Sequence, residues 1–328
     1  MVASTWGALR RRILTPNMSE TKLSVRGFTE KSPASRDLLE TVGASFLTGY
    51  GYAAEAKNPL DAERKLEEVP HRFRGFAYEG AAMGFAVRDG LPLGGRDHVA
   101  KFLEGRADVH IYMVNVGVGW ALARLPRFQW SKVEGTDRLL RWLILDGYGF
   151  HQAYFKTDKY VHQQYREPAF PWPADGPLWH ADRVIDQGIG RAMWFVGGTD
   201  PDLVATMIEK FPESRRPDLY SGAGLAATYA GGVDERELRS FWERADIYRP
   251  QLAQGSAFGA SARVEAGLTI PHTGLATSVF CGVTPEEASR VCEESRPALP
   301  YDEAQIPAYE QWRRRIADHF IASGWCNK

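Results

Sequence analysis

Three side chains in this 328-residue chain sit where acid–base chemistry would need them. Glu79 directly precedes Gly80 in GFAYEGAAMGF, Asp146 directly precedes Gly147 in LLRWLILDGYGF, and His151 follows in the same segment. A carboxylate set among apolar neighbours shifts toward the pKa of a general acid, and imidazole is the commonest proton acceptor beside it. Asp146, His151 and Glu79 are therefore the candidate catalytic residues. Asp186 lies two residues before Gly188, and Gln187 and Gln254 directly precede their glycines, so all share nearly one phase. With Tyr50, Tyr78, Trp120 and Tyr148 they would line a polar and aromatic substrate-binding surface. The same residues have a structural reading, as hydrogen-bond partners that cap helices and fix their stacking. His162, His180 and Asp182 gather near His151 around a proline-rich stretch. No ligand spacing there is diagnostic, so no metal site is expected and the cofactor is left open. Asp182 and Asp186 share one helix face at i, i+4, where Arg183 can neutralise one of them.

These residues ride on a repeat. A small residue recurs at alternate positions in GYGYA from Gly49, GAAMG from Gly80, GVGWA from Gly117 and GYGFH from Gly147. It returns in GIGRA from Gly188, GAGLA from Gly222 and GSAFG from Gly255. The period is about three dozen residues, which marks a repeat architecture. Gly188, Gly190, Ala192, Gly197, Gly198 and Asp200 are each followed 34 positions later by the same residue type. His151 fills a slot where the other units have Ala or Gly, and such breaks tend to fall at functional sites.

Each unit reads as an α-hairpin. Asp200-Pro201 and Asp234 with Glu237 are helix starts, the latter with a capping box. They open half-exposed outer helices. The glycine segments that follow are apolar nearly all round and read as buried inner helices. Earlier pairs are drawn at 59–68 with 73–88 and at 96–104 with 109–124. A long inner helix is drawn over 136–154, a helix from Thr284 to about Arg296, and a terminal one over 307–323. An interior glycine costs about 1 kcal/mol relative to alanine. Repeating that cost implies close helix–helix approach on two sides, since i and i+4 share a face and i+2 points the other way. The expected fold is all-α: repeated α-hairpins forming a solenoid or α/α toroid with Gly/Ala-rich inner helices. Residues 1–30 are expected to be an N-terminal segment whose basic helix docks on the rest. Residues 31–328 are expected to form one repeat domain with a proline-rich loop at 163–177.

The GxGxxA spacing at Gly222 matches a dinucleotide fingerprint, but RRPDLYS before it is no strand, so packing is the preferred reading. A Walker lysine motif, a GxSxG elbow, HExxH and diiron histidine boxes are missing. Forty basic against 41 acidic side chains leave no surplus for a phosphate backbone, which argues against a nucleic-acid binder. Three cysteines without a CxxC pair suit a reduced, cytoplasmic protein. No apolar run is long enough to span a membrane. Trp6, Leu9, Ile13 and Leu14 can form an apolar stripe on a short basic helix, suited to docking on its own domain or to a membrane surface.

TWGALRRRILTP at 5–16, VRGF at 25–28, SPASRDLLETVGASFLTGYGYAAE at 32–55 and the repeated glycine helices resemble the UnbL-like family. That family, of unknown function, is found in bacterial enediyne biosynthetic clusters. The resemblance covers essentially the full chain. It implies a bacterial protein of secondary metabolism, encoded beside an iterative polyketide synthase and the UnbV-like and UnbU-like families. It implies a role in converting a linear polyene into an enediyne core, with partner biosynthetic proteins that include a membrane protein. It supplies no catalytic residues. Two readings follow: an enzyme component acting on a long apolar polyene, with Asp146, Glu79 and His151 as acid–base groups; or a non-catalytic scaffold or carrier. Sequestration of the finished product is a third and weaker option.

Overall fold

The computed structural model describes residues 5–92, 95–132, 137–172, 177–299, 301 and 306–327. Every regular element among them is helical. Residues 173–176 of the proline-rich stretch lie outside the described residues. The chain divides into two compact units, residues 1–27 with 37–148, and residues 28–36 with 149–328.

The first unit holds α1 (Thr5–Leu14), α2 (Leu23–Arg26), most of α3 (Pro33–Glu55), α4 (Pro59–Glu67), α5 (Arg74–Gly90), α6 (His98–Leu103) and α7 (Ile111–Leu122). It ends within α8 (Leu143–Phe155). The second holds α9 (Leu178–Val196), α10 (Pro201–Glu209), α11 (Arg216–Ala230), α12 (Glu235–Ala245) and α13 (Arg249–Glu265), then α14 (Pro271–Phe280), α15 (Pro285–Glu294) and α16 (Ala308–Ala322).

Outer helices start where the capping chemistry puts them. Asn58 and Asp61 close a capping box on α4, Asp234 and Glu237 one on α12, and Thr284 and Glu287 one on α15. Asp200 accepts from the amides of Asp202 and Leu203 at the start of α10. Each such pair satisfies amides the helix itself cannot. In the second unit α9, α11, α13 and α15 pack side by side, and α10, α12 and α14 form a second row. Residues 28–36 are strapped to this unit: the Thr29 amide donates to the Val196 carbonyl at 3.0 Å, and Lys31 reaches Gly232 O and Glu237.

The glycines are where the backbones meet. A methyl group placed on Gly80 would lie 1.9 Å from the Phe46 carbonyl oxygen, and one on Gly49 1.8 Å from Ala77 O. By the same measure, a methyl on Gly119 would lie 2.0 Å from Ile144 O and one on Gly147 2.0 Å from Val116 O in the seam of α7 with α8. In the seam of α9 with α11 a methyl on Gly190 would lie 2.1 Å from Leu219 O and one on Gly222 1.9 Å from Gln187 O. In the next, a methyl on Gly224 would lie 2.4 Å from Leu252 O and one on Gly255 1.8 Å from Ser221 O. Any side chain there would sit inside the neighbouring carbonyl, whereas glycine permits Cα–H···O contact, worth about 0.5–1 kcal/mol each. In GVGWA, GYGFH and GAGLA the first glycine faces the preceding inner helix and the second faces the following one, the two-sided strip that alternate spacing implies, whereas Gly84 and Gly259, in the third slot of their motifs, face the preceding helix again.

Two details differ from the sequence expectation. Gly49 is the counterpart of the second slot, like Gly119 and Gly224, because it faces the following helix; the first repeat is shifted by two residues. Alternate spacing in GYGYA is compatible with either register. The long helix drawn over 136–154 begins only at Leu143, after a 3-10 turn at Leu140–Trp142. Asp137 accepts from the amides of Leu139 and Leu140, a local turn that competes with helix continuation.

Candidate functional site

The densest buried polar constellation lies in the second unit, built on four helices. α9 carries Arg183, Asp186 and Gln187; α11 carries Asp218 and Ser221; α13 carries Gln254; α16 carries Tyr309, Glu310, Arg313 and Arg314. Arg183 donates to Asp218 Oδ2 at 3.0 Å and to Glu310 Oε1 at 2.5 Å. Arg313 donates to Asp218 Oδ1 at 2.8 Å, and Arg314 to Glu310 Oε1 at 2.7 Å. Ser221 donates to Gln254 Oε1 at 2.7 Å, and the Gln187 amide donates to the Tyr309 hydroxyl at 3.2 Å. Arg313 also donates Nε to Gln254 Oε1 at 3.4 Å, so α16 lies across the inner row and bonds to three of its helices, α9, α11 and α13.

Burial works against the Arg313 charge, but Asp218 and Glu310 outweigh it and hold the guanidinium above its ordinary range. His180 has the opposite fate. Burial, then the field of Arg313, Arg183 and Arg314, pushes it down to about 2, so it is neutral although Nδ1 stands 3.9 Å from Glu310. Nearby, Arg215 grips Asp186 with Nε at 3.0 Å and Nη2 at 2.6 Å, and Arg166 adds a bond at 2.6 Å. Burial raises Asp186 against the pull of both arginines. Asp182, raised by burial, stands 3.8 Å from Arg166.

The first unit has its own buried constellation. Asp89 accepts from the amides of His98 and Val99 at the start of α6 and from His98 Nδ1 at 2.6 Å. With its proton on Nδ1, the ring presents Nε2 as an acceptor to Arg88 at 2.8 Å. Arg88 also donates to the carbonyls of Ala53 and Ala56, and burial, followed by Arg10, lowers it to about 10. An Asp–His pair of this kind orients a general base only if Nε2 is available; here the arginine occupies it.

The residues selected from sequence as catalytic or substrate-binding are all buried, none more than 8% exposed, whereas His162 is exposed and Asp182 half-buried. Glu79, Asp146, Tyr50, Tyr78, Trp120 and Tyr148 lie in the first unit; His151, Asp186, Gln187 and Gln254 lie in the second. Tyr78 donates to Glu67 on α4 at 2.7 Å and stacks on His110 at 3.8 Å, which ties it to the outer elements. Burial lowers His110 to about 4 and raises Tyr50 to about 12. Trp120 packs on Phe46 at 4.6 Å, Tyr148 stands edge-on to Trp130, and His151 packs on Phe155 at 4.6 Å. The Glu79 backbone carbonyl is itself a seam contact, 2.2 Å from a methyl placed on Gly117. Gln187 and Gln254 are brought into one network by α16, and Asp186 is held by Arg215 and Arg166. Among the described residues no group of three or more His, Cys, Asp or Glu could hold a metal ion.

Sequence reasoning missed the arginines that recur with the glycines. Arg74, Arg216 and Arg249 each stand six residues before a first glycine, and each donates Nε to a carbonyl near the end of the preceding outer helix: Val69, Phe211 and Trp242. Arg88 and Arg263 each stand eight residues after one and reach back to the preceding inner helix, at Ala53 and Tyr229. Cations there suit the negative end of the helix dipole. The spacing was readable at those fixed offsets.

The fold and this constellation define an all-helical protein in whose second unit buried arginines and carboxylates tie helices together. The chain belongs to the family described as "Protein of unknown function (DUF1702)", which matches residues 5–320. No curated protein and no solved structure matches the chain.

Proposed function

We propose that the protein binds a long apolar polyene intermediate of enediyne-type biosynthesis in the bacterial cytoplasm, as a non-catalytic carrier or scaffold built as a solenoid or toroid of α-hairpins. The observation that carries binding over turnover is the state of the polar groups. In the second unit Asp186, Gln187, Asp218, Ser221 and Gln254 are engaged by Arg215, Tyr309, Arg183 and Arg313 and by one another. A carboxylate held by a bidentate arginine neither takes up nor delivers a proton at neutral pH without breaking the pair. The polyene as ligand rests on the full-length resemblance to the UnbL-like family, and partner proteins of the pathway follow from the same source. Titrating the purified chain with diphenylhexatriene tests it. Saturable binding with enhanced fluorescence is expected, and fluorescence that rises only in proportion to added dye contradicts the reading.

A further inference from the structure

The helix α1 is docked inside out. On the wheel Trp6, Leu9 and Ile13 fall within an arc of about 60°, while Leu14, the fourth large apolar residue of α1, lies toward the inward face and is half-buried. They are 68%, 46% and 69% exposed. The face turned inward carries Gly7, which is buried, and two arginines. Arg10 donates to the carbonyls of Ala54, Glu55 and Ala56, which stand at the end of α3 and just beyond it. Arg11 donates to Glu55 Oε2 at 2.9 Å. An amphipathic helix that belonged only to its own core would bury the opposite side.

The charges say what this outward stripe meets. Thr5–Leu14 contains three arginines and no carboxylate. The nearest acid, Glu55, is held by Arg11 and also by Lys65 at 3.3 Å. Arg12 is exposed on the flank of the stripe beside Leu9. A tryptophan, two aliphatic residues and a basic flank over about two turns are the composition of a helix that lies in a lipid interface. No described helix is long and apolar enough to cross a membrane. We propose that α1 is a peripheral docking site for an anionic lipid bilayer, with Trp6, Leu9 and Ile13 inserted at headgroup depth and Arg12 on lipid phosphates. This site is independent of the polyene reading and stands or falls separately.

The test is co-sedimentation of the full chain with sucrose-loaded vesicles at about 1 mM lipid, a level at which a single weak anchor is measurable. Vesicles of phosphatidylcholine with phosphatidylglycerol should capture the wild type about tenfold better than phosphatidylcholine alone. The triple variant Trp6→Ser, Leu9→Ser, Ile13→Ser should lose that capture about tenfold while melting at the wild-type temperature. Arg12→Glu should weaken capture only on anionic vesicles, and Leu9→Phe should keep it. Absence of wild-type capture, or equal capture of the triple variant, overturns the proposal. So does a lipid-free wild-type dimer that the triple variant converts to monomer, because the stripe would then be a self-association surface.

Discussion

Arg313 is the residue on which the second unit's polar interior turns. It holds Asp218 and faces Glu310 at 3.5 Å, and all three are nearly inaccessible. Removing one member of such a set leaves a buried charge undercompensated, which typically costs 3–5 kcal/mol. Arg313→Met should therefore destabilise the protein by roughly 3–5 kcal/mol in urea denaturation; a loss below about 1 kcal/mol would mean that Arg183 alone carries the network. His180 gives a pH signature of defined sign. Its folded pKa is lowered to about 2 from a reference of 6.5, so the unfolded chain binds the proton first. The stability this neutral ring permits is complete above about pH 6.5 and is lost as the pH falls below it. One such histidine gives a slope of about 1.4 kcal/mol per pH unit. His110, lowered to about 4, adds the same sign over a narrower window, from 6.5 down to about 4. His180→Gln should flatten the slope of unfolding free energy against pH between 6 and 4 by about one proton; an unchanged slope contradicts the burial argument.

At the element scale the glycines make a prediction against helix propensity. Alanine is the better helix former by about 1 kcal/mol, yet Gly222→Ala would place its methyl 1.9 Å from Gln187 O and force α9 and α11 apart. Overpacking against backbone should cost about 3 kcal/mol or more. Gly274→Ala in α14 meets only Pro285 Cγ, at 3.9 Å, and should gain about 0.5–1 kcal/mol. Thermal melts of the two variants should move in opposite directions, and a shared direction contradicts the seam geometry. These seams were legible in the sequence because the close approach must be paid for in residue type at each contact, and the repeat displays the same choice every few dozen positions. The register of the first motif was not, since GYGYA offers Gly49 and Gly51 equally to either side. The start of α8 was hidden because Asp137 reads as an N-cap whether a helix or a turn follows. The network itself was illegible for a different reason. Arg183 meets Asp218 and Glu310 across 35 and 127 residues, and no local spacing encodes that α16 crosses the inner row. The phase of Gln187 and Gln254 was visible, and the helix that covers them was not.

At the scale of the whole molecule, the buried polar groups whose bonds are described above hold helices to one another. Buried arginines tie helix ends, carboxylates complete those ties, and glycines let backbones touch. The residues that suggested acid–base chemistry, Glu79, Asp146 and His151, are buried within this same architecture. The direct measurement is complementation of a strain lacking the gene with Asp146→Asn and His151→Ala, with accumulated polyenes profiled by mass and the melting temperature of each purified variant checked. The account predicts that both variants rescue product formation at wild-type levels wherever they fold. A variant that melts and binds diphenylhexatriene like the wild type, yet fails to rescue and accumulates a polyene, would show that the chain performs chemistry, and would contradict the carrier reading.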